Sequence, residues 1–123
     1  MDYTKKIMHQ SNYWYNDGLG KAKIRDMSGA IVSLRRSLQY NRGNIAARNL
    51  LGLVYYGRGE VAEALVEWII SKNLRPRDNI ANEYIQRIQD ASGELEVINQ
   101  AVKKYNQCLA YCEQNGEDLA LIQ

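Results

Sequence analysis

The stretch ARNLLGLVYYGRGEVAEALVEWIISKNLRP, from Ala47 to Pro76, decides the fold. Apolar residues recur at helical spacing on both sides of Gly57 and Gly59, which predicts two helices joined by a tight turn. Gly52 lies inside the first helix, where glycine costs about 1 kcal/mol relative to alanine. Ala64 follows twelve residues later, in the second helix. Two small residues facing one another would let the helices approach closely, with Leu51, Tyr55, Leu65 and Trp68 packed around the contact. A bulkier side chain at either position would overpack that seam and cost about 1–3 kcal/mol.

The spacing recurs. Gly18 and Ala30 are also twelve apart, and both pairs are related by an offset of 34. Such a period is the mark of a helix–turn–helix repeat. The second unit reads Arg48, Leu51, Gly52, Tyr55, then Gly59, Ala64, Trp68, Ser71 and Pro76. The first has Trp14, Gly18, Ala30 and Leu34, with Asp17, Lys21 and Arg42 where the second has Leu51, Tyr55 and Pro76. A third copy emerges at an offset of 90, where Tyr105–Gln123 overlies Tyr15–Ser33 and Cys108 stands twelve residues before Ala120. That offset leaves 22 extra residues, which hold a further helix over about 78–90.

This pattern resembles the tetratricopeptide repeat, whose signature is Trp-x2-Leu-Gly-x2-Tyr, then Ala-x3-Phe, then Pro. Arg48 replaces the Trp, and Trp68 fills the aromatic slot. The resemblance covers nearly the whole chain. It implies an all-α, right-handed helical repeat array of about seven helices in a single domain, 1–123. Its parts are repeats at 11–44 and 45–78, the extra helix 78–90 and a partial repeat 101–123. The last copy stops a few residues into its second helix, so the chain is expected to be a fragment of a longer protein or to pack that end on another chain.

Local signals place the boundaries. The first helix begins near Asp2; Asp26 caps a helix over about 27–40, and Asn44 one over about 45–56. Glu60 opens the next, to about Asn73. Asp78 is expected to cap the extra helix, and Ser92 a long one over about 93–114.

Composition narrows the class. With 123 residues, 46% apolar and 24% charged, the chain is a folded domain rather than a disordered one. Sixteen basic against fourteen acidic residues is too balanced for a typical nucleic-acid binder. The clusters Lys21, Lys23, Arg25 and Arg35, Arg36 read as solvated faces. Nine Tyr, two Trp and no Phe favour rings at half-exposed surfaces. No apolar run reaches the length of a membrane span, and MDYTKKIMHQ has no secretory character. A cytoplasmic, reducing setting is expected, which suits two cysteines.

Catalytic chemistry lacks candidates. His9 stands alone in a polar segment, with no Ser-His-Asp set to join. GLGKAK, Gly18–Lys23, has neither the spacing nor the preceding strand of a phosphate loop. Cys108 and Cys112 share a helix face but supply only two of a zinc site's usual four ligands, and read as packing residues. No enzyme activity, metal or cofactor is therefore expected.

What remains is surface. In tetratricopeptide arrays the first helices of successive units line a concave groove. Here the matching positions are Asn12, Tyr15, Asn16, Leu19 and Lys23 in copy one, and Asn49, Leu50, Leu53 and Tyr56 in copy two. Copy three adds Tyr105, Asn106, Leu109 and Cys112. Asparagine amides suit a peptide backbone, and Tyr and Leu supply apolar pockets. The groove is expected to bind a peptide or partner protein. The Lys and Arg positions of the family's carboxylate clamp are Tyr15, Val102 and Asn106 here, which disfavours that ligand. Self-assembly as a homodimer through the apolar C-terminal copy is the alternative, and RNA binding by copy one a lesser one.

Overall fold

The computed structural model describes residues 2–92 and 100–107. Five helices follow one another: α1 (Tyr3–Lys23), α2 (Met27–Tyr40), α3 (Ile45–Gly57), α4 (Val61–Leu74) and α5 (Ala81–Ser92). Residues 100–107 are also helical, and the described residues hold no strand. The chain is all-α. No helix among the described residues is long and apolar enough to cross a membrane.

The helices begin where the capping residues stand. Asp2 accepts from the Thr4 amide, Asp26 from Gly29 and Asn44 from Ala47. The turns inside the two hairpins are built alike. Arg25 adopts φ 64°, donates to the Ala22 carbonyl and is followed by Asp26 donating to Lys21. Thirty-four residues on, Gly59 adopts φ 82°, donates to Tyr56 and is followed by Glu60 donating to Tyr55. Each is a helix end closed by one left-handed residue, which satisfies the last carbonyls of the first helix.

α1 packs chiefly on α2, and α3 on α4; α2 also meets α3, α4 meets α5, and α1 touches α3. Leu34, Leu38, Leu51, Leu65 and Trp68 are fully buried between them. Both glycines mark close approaches, though not of the kind expected. A Cβ at Gly52 would lie 2.2 Å from the Trp68 indole nitrogen, and one at Gly18 2.8 Å from Leu34 Cγ. Gly52 thus makes room for the indole rather than for the Ala64 methyl. Leu34 and Trp68 are counterparts at the 34-residue offset.

The joint between the units also recurs. Asn44 donates its amide to Ser11 Oγ at 3.0 Å and reaches Ser37 Oγ at 3.4 Å. Asn79 donates to the Ser71 carbonyl at 3.1 Å and to Ser71 Oγ at 2.9 Å. In both cases the carboxamide oxygen caps the next helix, Asn44 taking Ala47 N–H and Asn79 taking Ala81 N–H. Ser37 and Ser71 are 34 apart, whereas Asn44 and Asn79 are 35 apart. The added residue falls at Asp78, which adopts φ 53°. This corrects the expectation that Asp78 caps the extra helix: Asn79 does so, and the helix starts at Ala81. α5 is described as far as Ser92; the cap expected at Ser92 opens onto residues 93–99, outside the described residues, while 100–107, within the helix expected over about 93–114, are helical.

Candidate interaction surface

α1 and α3 carry the residues expected to line a groove. Asn12, Asn16 and Lys23 are exposed on α1, while Tyr15 and Leu19 are half-buried and Tyr15 leans on the core. On α3, Leu53 and Tyr56 are 39% and 50% exposed, and Leu50 packs against the core. Ala46, Asn49, Leu53 and Tyr56 recur every three or four residues and so form one stripe. α1 touches α3, and the Asn44 amide at the start of α3 donates to Asn12 Oδ1 at 3.4 Å, which brings the Asn12 end of the α1 stripe to the start of α3.

Asn49 stands apart from its stripe. It is 8% exposed, and its amide donates to Asn79 Oδ1 at 2.9 Å. The orientation is forced, since the Asn79 amide nitrogen is already committed to Ser71 and the Arg75 carbonyl. Asn49 therefore joins α3 to the α4–α5 connection and presents no amide at the surface. Its own backbone carbonyl accepts from the Trp68 indole at 3.2 Å. Tyr84 on α5 meets the same indole at a 41° tilt, 5.0 Å between centroids, and Tyr56 flanks it at 6.1 Å.

The copy-three residues divide. Tyr105 packs on the core and its hydroxyl accepts from Asn73 on α4 at 2.8 Å, and Lys104 pairs with Glu63. The helical stretch 100–107 therefore lies against α4, and its Ala101 is fully buried in the core. Asn106 is exposed. Leu109, Cys108 and Cys112, with the rest of the partial repeat, lie outside the described residues.

Two polar groups inside the hairpins escape any reading by pattern. Arg48 and Glu67 are buried together, Nη1 to Oε1 at 3.1 Å, with Arg48 Nη2 donating to the Arg42 carbonyl at 2.9 Å. Burial pushes the Glu67 carboxyl up to about 7, against the opposing pull of Arg48. Nearby, Arg35 donates to the Tyr55 hydroxyl, whose pKa burial also raises. In the first hairpin, Asp17 accepts from Ser33 at 2.5 Å and pairs with Lys21 at 2.8 Å. Those contacts, led by the Lys21 hydrogen bond, hold its pKa below the usual range. The one sequence signal for the buried pair was Arg48 itself, a charge standing where the first unit has Trp14. His9 is exposed on α1, and the described residues contain no cluster of three metal-binding side chains.

Comparison of the chain with protein-family models, with curated proteins and with solved structures finds no match.

Proposed function

We propose that the chain is a tetratricopeptide-like repeat array that works as a protein–protein interaction module in the cytoplasm, holding a peptide or partner segment along α1 and α3. It acts by binding alone, with neither cofactor nor catalytic step. The observation that carries this reading is the exposed apolar stripe. Leu53 and Tyr56 are open on α3, and Tyr15 and Leu19 are half-open on α1 with Asn12 and Asn16 exposed on the same helix. Apolar anchors flanked by carboxamides match what an extended peptide offers, side chains on one side and backbone N–H and C=O groups on the other. Repetition supports the same reading. Two hairpins with the same turn, the same seam and the same joint make a rigid platform, and rigid platforms lose little entropy on binding.

The test selects peptides on the immobilised protein from a displayed library. It then measures their affinity for Leu53→Ser/Tyr56→Ser and for Val32→Ser, which alters an exposed position on α2. Selected peptides are expected to bind the double variant at least tenfold more weakly and the Val32 variant unchanged. The Val32 variant should melt near the parent, and the double variant somewhat lower because Tyr56 gives up its contact with the Trp68 ring, so affinities are compared at a temperature where all three proteins are folded. Equal binding to all three proteins would place recognition elsewhere.

A further inference from the structure

The other flank of α1 carries a second, chemically different site. At 3.6 residues per turn, Trp14 lies across the buried Ser11–Gly18 line from Asn12 and Leu19. There it borders a cleft of about 370 Å³, lined with Arg36, Gln39 and Tyr40 of α2. The Arg36 guanidinium sits over the Trp14 ring, 4.8 Å from its centroid. Tyr13 meets the indole edge-on at 5.3 Å. Tyr13 and Tyr40 are 58% and 44% exposed.

Charge is distributed unevenly along the chain. Residues 1–44 hold eight Lys or Arg against three Asp, while residues 45–123 hold eight Lys or Arg against eleven Asp or Glu. The positive excess therefore belongs entirely to the first hairpin and its flanks. Its three acids are engaged. Asp2 and Asp26 cap helices, and Asp17, a turn from Trp14 on the same flank, is bound by Lys21 and Ser33. Among the described residues no carboxylate reaches Arg36.

We propose that this cleft docks an acidic peptide segment. A carboxylate takes the rim of the Arg36 guanidinium, and a neighbouring apolar side chain lies on Tyr40 and the edge of Trp14. A guanidinium stacked on an indole keeps its in-plane N–H groups free for an oxyanion, and is held in place before the ligand arrives. The same stacking argues against RNA. A base stacking on the indole face that Arg36 covers would have to displace the guanidinium. Gln39 adds a carboxamide at the rim for the peptide backbone. The site shares no residue with the α1–α3 stripe and stands or falls separately from it.

The two tryptophans make the test specific. Trp14 is half-buried at the cleft; Trp68 is 2% exposed and bonded to Asn49. The full chain, labelled with ¹⁵N, is titrated with an acetylated, amidated peptide of five glutamates around one leucine. Controls are the same peptide with glutamines and a hexauridylate RNA. The acidic peptide is expected to shift the Trp14 indole N–H signal saturably, to leave that of Trp68 unmoved and to weaken with salt. Arg36→Gln should reduce its affinity at least tenfold, Gln39→Glu should reduce it as well, and Arg75→Gln should leave it unchanged. A glutamine peptide that binds as tightly would overturn the proposal. So would equal losses in the Arg36 and Arg75 variants, which would mean diffuse attraction. An RNA that moves the Trp14 signal at lower concentration than the peptide would replace the acidic peptide with nucleic acid.

Discussion

The two hairpins share a frame but fill it differently. At equivalent positions the first has Trp14 and Ser33 where the second has Arg48 and Glu67. Trp14 is half-buried at an open cleft, and Ser33 bonds to Asp17. Arg48 and Glu67 are a buried ion pair, 1% and 2% exposed. The first hairpin thus places its aromatic ring near solvent, keeps neutral serine hydroxyls inside and its Asp17–Lys21 ion pair on a flank, whereas the second places charge in its interior. The backbone frame tolerates both because small residues, the left-handed turn and the Asn–Ser joint set it, and these are common to the two. The steepest way to break this comparison is to remove Arg48. Arg48→Ala leaves Glu67 buried without its cation and opens a cavity, so a loss of about 3–5 kcal/mol is expected in urea unfolding. Arg48→Met with Glu67→Leu, which replaces the pair by apolar volume, should recover most of that loss or exceed the parent. If the double variant stays as unstable as Arg48→Ala, the pair matters for its shape rather than its charge.

The same pair has a pH signature. Burial raises the folded-state pKa of Glu67 from 4.5 to about 7, so the folded chain binds this proton more tightly than the unfolded chain. Glu67's contribution is therefore fully present below about pH 4.5 and is lost as pH rises toward 7. Asp17 and Glu63 act in the opposite sense. Their pKa values are lowered, chiefly by hydrogen bonds from Lys21 and Lys104, and what they contribute is lost as pH falls. The measurement must therefore be a difference. Between pH 4.5 and 7 the melting temperature of the parent should fall relative to that of Glu67→Gln. Parallel profiles would mean that Arg48 holds Glu67 ionised throughout that range.

The glycine seams differ in how much they yield. At Gly52 an added methyl meets the Trp68 ring, which is planar, flanked by Tyr56 and Tyr84 and tethered to the Asn49 carbonyl. At Gly18 it meets Leu34 Cγ and Cδ2 and, at 3.4 Å, the Ala30 carbonyl oxygen; Leu34 is buried but, unlike the indole, is neither planar nor tethered by a hydrogen bond. Gly52→Ala is expected to cost about 2–3 kcal/mol, within the range for overpacking, and Gly18→Ala about 1 kcal/mol or less. Equal costs would show that both seams are equally rigid.

Much of this frame was legible in the chain itself. Asp2, Asp26 and Asn44 announce helix starts by their chemistry, and the 34-residue spacing of Gly and Ala locates the seams. The opposite happened where a residue's role depends on a distant segment. Asn49 has the spacing of a surface residue, yet the α4–α5 connection covers it, and only the fold brings Asn79 there. Trp68 reads as a core aromatic, but nothing local indicates that it lies on Gly52. Asp78 and Asn79 are both capping residues, and the choice between them rests on which one reaches Ser71. The Trp14 cleft needed two helices to be brought together before Arg36, seemingly one of two solvated arginines, had a ring beneath it.

The smallest effects test whether the hairpins are interchangeable at their turns. Each has one good and one poor residue. The first turn has a strong cap, Asp26, but places Arg25 at φ 64°, where a side chain crowds the backbone. The second has Gly59 at φ 82°, but Glu60 makes no capping bond and is drawn instead to Arg58 at 3.1 Å. If the frames are equivalent, each should accept the other's better residue. Arg25→Gly should stabilise by about 0.5–1 kcal/mol, as relief of the left-handed penalty outweighs the added freedom of glycine in the unfolded chain. Glu60→Asp should gain about 0.5–1 kcal/mol, because the shorter carboxylate can reach the Glu63 amide as Asp26 reaches that of Gly29. Met27, which follows Asp26, lies against Gly57 at the second turn, so the double variant measures the coupling between the turns: a combined gain equal to the sum within about 0.3–0.5 kcal/mol is expected if the two turns act independently. A gain at Arg25 but none at Glu60 would show that the second turn needs its Arg58 pair more than a cap, and that likeness of backbone between the hairpins stops short of likeness of side-chain demand.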